Sequence, residues 1–347
     1  MRLRITYPHP RSTFIVLWFV VAALIFGGCG STPAAPTAAP TALTVQLAYA
    51  HNIEYAGFYM AADKGYYSAE NLNVTVEPLP PGQPKSVIED LVASGKAQFG
   101  ITSADTLLRA RANGKPFVAI ATIYQRNPTV LISMAEKNIV RPEDLTGRNI
   151  MMSRKGTAII SLKALLKQAG IAESMVNIVE PTDFTSTPLI EGKVDVQAGF
   201  INNQPIGLEQ AGHKINMILF SDYGIEIYAN VIFTTEEMIA KHPDAVERFL
   251  RATLRGYQDV VDHPEEAAKL TVAWNPERNL EYETESLMRG LPLIKPAGSK
   301  PGMMNPDHWA LVHSFLVDQG ILSEPLNLDD AYTLQFLQKI YADTTSG

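Results

Sequence analysis

The chain has 347 residues with 36 acidic and 29 basic side chains, and its net charge is −7. That balance speaks against nucleic acid as a partner, because such affinity rests on phosphate neutralisation. A single cysteine excludes an intrachain disulfide and a cysteine-based metal cluster, while 46% hydrophobic residues supply one large core or two medium ones.

At the N-terminus, Arg2, Arg4 and Arg11 precede thirteen largely apolar residues, Phe14 to Phe26, and Gly27-Gly28-Cys29 follows. Basic, apolar, small, Cys is the order of a bacterial lipoprotein signal. The peptide 1–28 is expected to be cut before Cys29, which then carries the lipid, palmitate among its acyl chains. The apolar run is shorter than the roughly 20 residues that span a bilayer core. Phe26 stands where such signals more often carry Leu. Cleavage removes three arginines and no acid, so the mature chain is more acidic still, without a polybasic patch to reinforce the anchor. The expected location is the extracytoplasmic face of the cell membrane. Residues 29–42 read as the lipidated Cys and a flexible linker: Gly30 to Ala42 are small, uncharged and interrupted by three prolines.

Order is expected from Leu43. Leu43, Val45, Leu47 and Tyr49 alternate with Thr44, Gln46 and Ala48, the period of a strand. Strand-like runs then follow at Val74–Glu77, Phe117–Tyr124, Val130–Met134, Asn149–Ser153, Val176–Val179, Val194–Phe200, Ile215–Phe220 and Asn230–Thr234. Helical patterns separate them. Ser161–Ala169 puts Leu162, Leu165, Leu166 and Ala169 on one face and stops at Gly170. Thr234-x-x-Glu237 reads as a capping box. A helix from Asp244 carries Val246, Phe249, Leu250, Thr253, Leu254 and Tyr257 at helical spacing. The remainder is mainly helical, with proline-rich breaks around Pro292–Pro306. This alternation implies an α/β fold with largely parallel sheets, and about 305 ordered residues imply two lobes. No internal repeat is visible, and no later apolar run reaches membrane length, so the body is expected to be soluble.

Signatures for dinucleotide, P-loop, zinc-protease or serine-hydrolase chemistry are absent from the sequence. His308 and His313 stand about 140° apart around a helix and do not share a face for a metal. His242-Pro243 and His263-Pro264 read as helix starts, and Met151-Met152 and Met303-Met304 as core filler. No metal site is expected.

The segment Asn52–Val76 carries Asn52, Gly57-Phe58-Tyr59, Ala61 and Gly65-Tyr66-Tyr67 ahead of a strand. It resembles the substrate-binding proteins of ABC importers, in the branch related to thiamine-pyrimidine-precursor binding. Matching pieces continue in order over nearly all of residues 43–270: Phe99-Gly100-Ile101 before Ser103-Ala104-Asp105, Asp144 to Arg148, Glu191 to Asp195, and His242-Pro243 through His263 to Ala267. The resemblance implies a two-lobe periplasmic-binding-protein fold of type II, with the ligand cleft between lobes joined by two crossing strands. Lobe one would be 43–131 plus 229–347, and lobe two 132–228. Two departures stand out. The cysteine-rich motif of the fungal pyrimidine synthases cannot be formed here. Tyr55 also stands where pyrimidine-binding members tend to carry His.

Ligands of such proteins meet loops at strand C-terminal ends and helix N-termini. The candidates are Asn52, Tyr55, Ser103, Asp105, Gln125, Gly156, Thr157, Asn202, Asn203, Gln204, Tyr223, Glu226 and Tyr228. Asp105 also reads as a cap for the helix Thr106–Ala112, and Arg126 and Arg154-Lys155 as solvated or salt-paired side chains. Aromatic faces stack on flat rings, and amides and carboxylates bond hydroxyls and ring nitrogens. This inventory suits a neutral, polyhydroxylated heteroaromatic ligand. Within the branch, the riboflavin-binding proteins of riboflavin importers are the group it resembles, with a pyrimidine thiamine precursor as the alternative. Riboflavin would be cargo, and no cofactor is expected. The partners implied are a permease and its ATPase, with the protein itself a monomer. A rival reading is an extracytoplasmic pyrimidine-modifying enzyme, for which Asp105 and Glu226 would be the acid–base pair.

Overall fold

The computed structural model describes residues 39–182 and 185–343. The leader, Cys29 and the linker as far as Ala38 lie outside the described residues. Among the described residues, ten strands form two five-stranded sheets. The first sheet holds β1 (Thr41–Gln46), β2 (Leu72–Glu77), β3 (Phe99–Thr102) and β4 (Phe117–Thr122). The second holds β5 (Thr129–Met134), β6 (Asn149–Met151), β7 (Asn177–Val179), β8 (Val196–Phe200) and β9 (Ile215–Leu219). The last strand, β10 (Val231–Thr235), returns to the first sheet. The orders are β2-β1-β3-β10-β4 and β7-β6-β8-β5-β9. Each sheet is mixed, because β10 runs antiparallel to β3 and β4, and β5 antiparallel to β8 and β9.

Two short segments therefore cross between the sheets, one from β4 to β5 and one from β9 to β10. The lobe boundary expected after residue 131 falls inside β5, whose Thr129, Val130 and Leu131 pair with β8. The first strand also starts earlier than its composition suggests. Thr41 and Ala42 pair with Leu72 and Asn73, so backbone bonding recruits two residues that the small-residue run assigned to the linker. Tyr49, the last member of the alternating pattern, lies beyond the strand and is 57% exposed.

The helices are α1 (Ala56–Asp63), α2 (Tyr66–Ala69), α3 (Ser86–Ala93) and α4 (Ala104–Ala112) before the first crossing. Next come α5 (Thr157–Gln168), α6 (Thr187–Ile190) and α7 (Gln204–Gln210). The C-terminal part supplies α8 (Glu236–Lys241), α9 (Pro243–Asp262), α10 (Pro264–Trp274), α11 (Leu280–Ile294), α12 (Pro306–Asp318) and α13 (Gln335–Asp343). α9 begins with Pro243 at its first helical position, where proline's missing N–H costs nothing. It buries Val246, Phe249, Leu250, Thr253, Leu254 and Tyr257, the stripe read from the sequence. Phe249 stacks on Phe99 of β3 at 3.8 Å between ring centres and lies beside Tyr67 and Phe58. α1 buries every residue from Ala56 to Ala61, as a helix covered on all sides must. It lies so close to α9 that a Cβ on Gly256 would stand 2.1 Å from the Gly57 carbonyl oxygen.

Three local readings are corrected by packing. β3 carries no strand signal in the sequence, because its four residues hold a glycine and show no alternation; Gly100 lies under the Phe233 ring, where a Cβ would come within 2.5 Å. α5 starts at Thr157, a turn ahead of Ser161. The cap before α8 belongs to Thr235, whose hydroxyl accepts from Met238 N at 3.1 Å. Thr234 is buried in β10 and donates instead to the Gln98 carbonyl at 2.7 Å. His242 and His263 do precede α9 and α10.

Candidate ligand-binding cleft

The turn after β1 is fixed from three directions. The Asn52 side chain accepts from Glu54 N at 3.0 Å. Ile53 N donates to the Glu283 carboxylate of α11 at 2.8 Å, and Tyr257 of α9 donates to the Glu54 carbonyl at 3.0 Å. Glu283 is fully buried and is paired by Arg278. An ion buried in this way needs both its partner and its hydrogen bonds, so the turn and α11 are one construction. Tyr55 is 1% exposed, and burial pushes its phenol well above the ordinary range. Glu54 stays partly exposed; burial pushes its carboxyl up, and the bond from Asn230 Nδ2 at 3.1 Å draws it back.

At the first helix pair, α4 and α5 meet tip to tip. Asp105, fully buried in the first turn of α4, accepts from Arg109 at 2.9 Å and from the Thr157 hydroxyl at 2.9 Å. Gly156 opens α5 with φ +86°, a region where a side chain would be strained. Ser103 precedes α4 and donates to Thr106 at 2.9 Å. The expected Asp105 cap is thus a contact between the two sheets' helices rather than a cap.

At the second meeting point, Asn202 lies 2% exposed after β8. Its Nδ2 donates to the Tyr124 hydroxyl at 2.9 Å, its carbonyl accepts from Ser286 at 2.6 Å, and its Oδ1 is buried without a partner. Gly290 of α11 leaves room here, since a Cβ would stand 3.7 Å from the Tyr124 ring. Further contacts cross the same gap. Asn203 accepts from Tyr282, Arg289 pairs with Glu209, and on the other side Lys167 pairs with Asp318 at 3.0 Å.

Several expected ligand residues are occupied by the fold. Gln125 donates to the carbonyls of Ile294 and Lys300 at 2.8 and 2.7 Å, which fastens the end of α11 to the first crossing. Gln204 caps Phe200 N at 2.9 Å. Glu226 accepts from Arg126 at 3.2 Å and Asn127 N at 2.7 Å, tying the two crossing segments together. Both oxygens of Glu226, the residue read as an acid–base partner of Asp105, are thus engaged at the crossing. The Tyr228 hydroxyl accepts from Asn305 N at 2.6 Å, and its ring packs by His308 and Trp309. Tyr223 has Glu143, Asp222 and Asp144 for charged neighbours, and burial followed by those charges pushes its phenol up. The structure brings Asn52, Tyr55, Asp105, Thr157 and Asn202 to the facing ends of the two sheets. Glu54, Tyr124, Asn230 and Glu283 join them there. Glu54 was legible by position, between two candidates; Glu283 reaches the turn from 230 residues away and left no local signal.

The profile of the family described as NMT1/THI5 like matches residues 52–267. The chain is 31% identical to the riboflavin-binding protein RibY of Chloroflexus aurantiacus, over 93% of this chain and 97% of that one. It is 25% identical to the formylaminopyrimidine-binding protein of Halalkalibacterium halodurans, over 92% and 98% respectively. Among solved structures, the periplasmic aliphatic sulphonate binding protein SsuA of Escherichia coli superposes with a TM-score of 0.67 at 14% identity, covering 84% of this chain and 91% of that one. The fold is that of the periplasmic binding proteins.

Proposed function

The chain belongs to the NMT1/THI5-like family, and from that premise we propose that it is the substrate-binding component of a riboflavin importer. It captures riboflavin between its two sheets and delivers it to a membrane permease powered by a partner ATPase. The observation that carries this reading is the near full-length similarity to a riboflavin-binding protein. The cleft chemistry supports it. The tricyclic ring is flat and the ribityl chain is rich in hydroxyls. The facing sheet ends offer tyrosines, amides and the hydroxyl of Thr157. Arg126 and Arg109, which an anionic ligand would recruit, are held by Glu226 and Asp105.

Ligand contacts to both sheets would favour the closed arrangement, in which Asp105 meets Thr157 and Asn202 meets Tyr124. Riboflavin is cargo here, released unchanged, and no bond in it is made or broken. A lipid on Cys29 would hold the protein at the extracytoplasmic face beside its permease. Titration of purified protein with riboflavin should quench flavin fluorescence at sub-micromolar concentration, and extraction should return intact riboflavin. Absence of quenching together with tight binding of an aminopyrimidine would move the assignment to a thiamine precursor, as the second relative's ligand suggests. Conversion of either compound would sink the binding-protein reading.

A further inference from the structure

The hydrogen-bonding capacity left over in the cleft has a definite pattern. Glu54 sits on a turn whose backbone is fixed by Asn52, Glu283 and Tyr257. One carboxylate oxygen, Oε2, accepts from Asn230. Among the described residues, no hydrogen bond is made to the other. Glu283 and Ser286, about one turn apart on α11, bind the Ile53 N–H beside Glu54 and the Asn202 carbonyl, so one helix holds this turn and the Asn202 loop close together. The Tyr124 hydroxyl accepts from Asn202 Nδ2 at 2.9 Å, and Asn202 Oδ1 is buried and, among the described residues, unpartnered. A buried polar atom left without a partner costs about 1–3 kcal/mol, so this position calls for a polar atom from outside the chain. Turning the Asn202 amide over would leave Nδ2 unpartnered in its place.

In that turned orientation Oδ1 accepts from the Tyr124 hydroxyl, and a ligand edge that offers a donor to Glu54 and an acceptor to Asn202 completes both. An imide, a ring N–H between two carbonyls, offers a donor with an acceptor on either side, and the isoalloxazine ring carries one such edge. We propose that Glu54 is the specificity-determining residue of the cleft, accepting the ring N–H of the flavin's imide edge, while the Asn202 amide, turned over, donates Nδ2 to a flanking ring carbonyl and accepts from the Tyr124 hydroxyl. This rests on the riboflavin reading above.

The test compares riboflavin with N3-methylriboflavin, in which that hydrogen is replaced, on the wild-type chain and on Glu54→Ala and Glu54→Gln. The wild type should bind the methylated compound about 10- to 100-fold more weakly than riboflavin, the range of a hydrogen bond to a charged group. Glu54→Ala should weaken riboflavin by a similar factor and bind the two flavins equally. Glu54→Gln has the same size and keeps an acceptor oxygen, so it should fold like the wild type and discriminate less. Equal wild-type affinity for both flavins, or undiminished discrimination in a folded Glu54→Gln chain, would overturn the role given to Glu54 while leaving riboflavin binding in place. A wild-type chain that binds neither flavin would overturn the riboflavin reading and this assignment together.

Discussion

The two sheets share one wiring and differ in what lies on them. In each, leaving aside the antiparallel strand, the second strand in sequence takes one edge, the first and third follow, and the antiparallel strand beside a crossing segment is inserted before the other edge. The first sheet is thick. β4 is buried along its length, Phe249 stacks on Phe99, and Trp309 stacks on Tyr332 at 5.1 Å. The second sheet is thin. β6 and β7 have three residues each, Met217 of β9 is 38% exposed, and one face rests on a small aliphatic cluster of Val130, Ile132, Met151, Leu189, Val194 and Leu208. Topology decides which loops face the cleft; the depth of the core decides which side holds its shape. The turn bearing Glu54 and Tyr55 is on the thick side, anchored by a buried ion pair. The loop bearing Asn202 is on the thin one.

The strongest way to probe this contrast is the pair Phe249→Ala and Leu208→Ala. Removing Phe249 opens the aromatic stack and should cost about 4–5 kcal/mol, whereas Leu208→Ala should cost about 2–3 kcal/mol, both within the range for core truncations. Urea denaturation followed by circular dichroism measures both. Equal losses would erase the distinction between the cores.

Glycine substitutions give a smaller effect that changes sign between the lobes. Gly256→Ala forces α9 away from the Gly57 backbone and should destabilise by about 3 kcal/mol. Gly207 of α7 has open space where a Cβ would go, so Gly207→Ala should stabilise by about 0.5–1 kcal/mol. Melting temperatures moving the same way in both variants would contradict the packing difference.

The mildest test concerns a carboxylate inside the thin sheet. Asp195 accepts from Asn149 N at 3.0 Å and from Lys137 at 3.3 Å. Burial pushes its carboxyl up, but those donors prevail and hold it below the ordinary value. A carboxyl depressed by folding stabilises the protein above the unfolded pKa of about 3.9 and loses that effect as pH falls through the folded value. Asp195→Asn should therefore cost about 1 kcal/mol at pH 7 and almost nothing near pH 2. A cost that stays constant across this range would show that shape, not charge, holds the loop.

Periodicity made the larger elements readable. The α9 stripe and the strand through Leu43 and Val45 are sequence patterns that burial enforces one residue at a time. The cleft's position at strand ends followed from the fold class, which rested on motif resemblance. Partner choice was not readable. Gln125 carries the same amide as Asn202, and Tyr228 a hydroxyl as eligible for a ligand, and only folding shows that Gln125 and Tyr228 are consumed by α11 and Asn305 while one atom of Asn202 is left over among the described residues. Thr234 and Thr235 are chemically identical as caps, and the register of β10 decided between them.

The insertion of β10 between β3 and β4 has a consequence in time. Residues 129–219 contain every strand of the second sheet, so a chain that appears N-terminus first can complete that sheet from one continuous stretch. The first sheet must wait with its fourth position vacant until Val231–Thr235 arrive, more than a hundred residues after β4. Contacts that distant in sequence close slowly. The thicker, better-packed half of the molecule is thus the later one to assemble, and until then β3 and β4 expose the edges that β10 will cover.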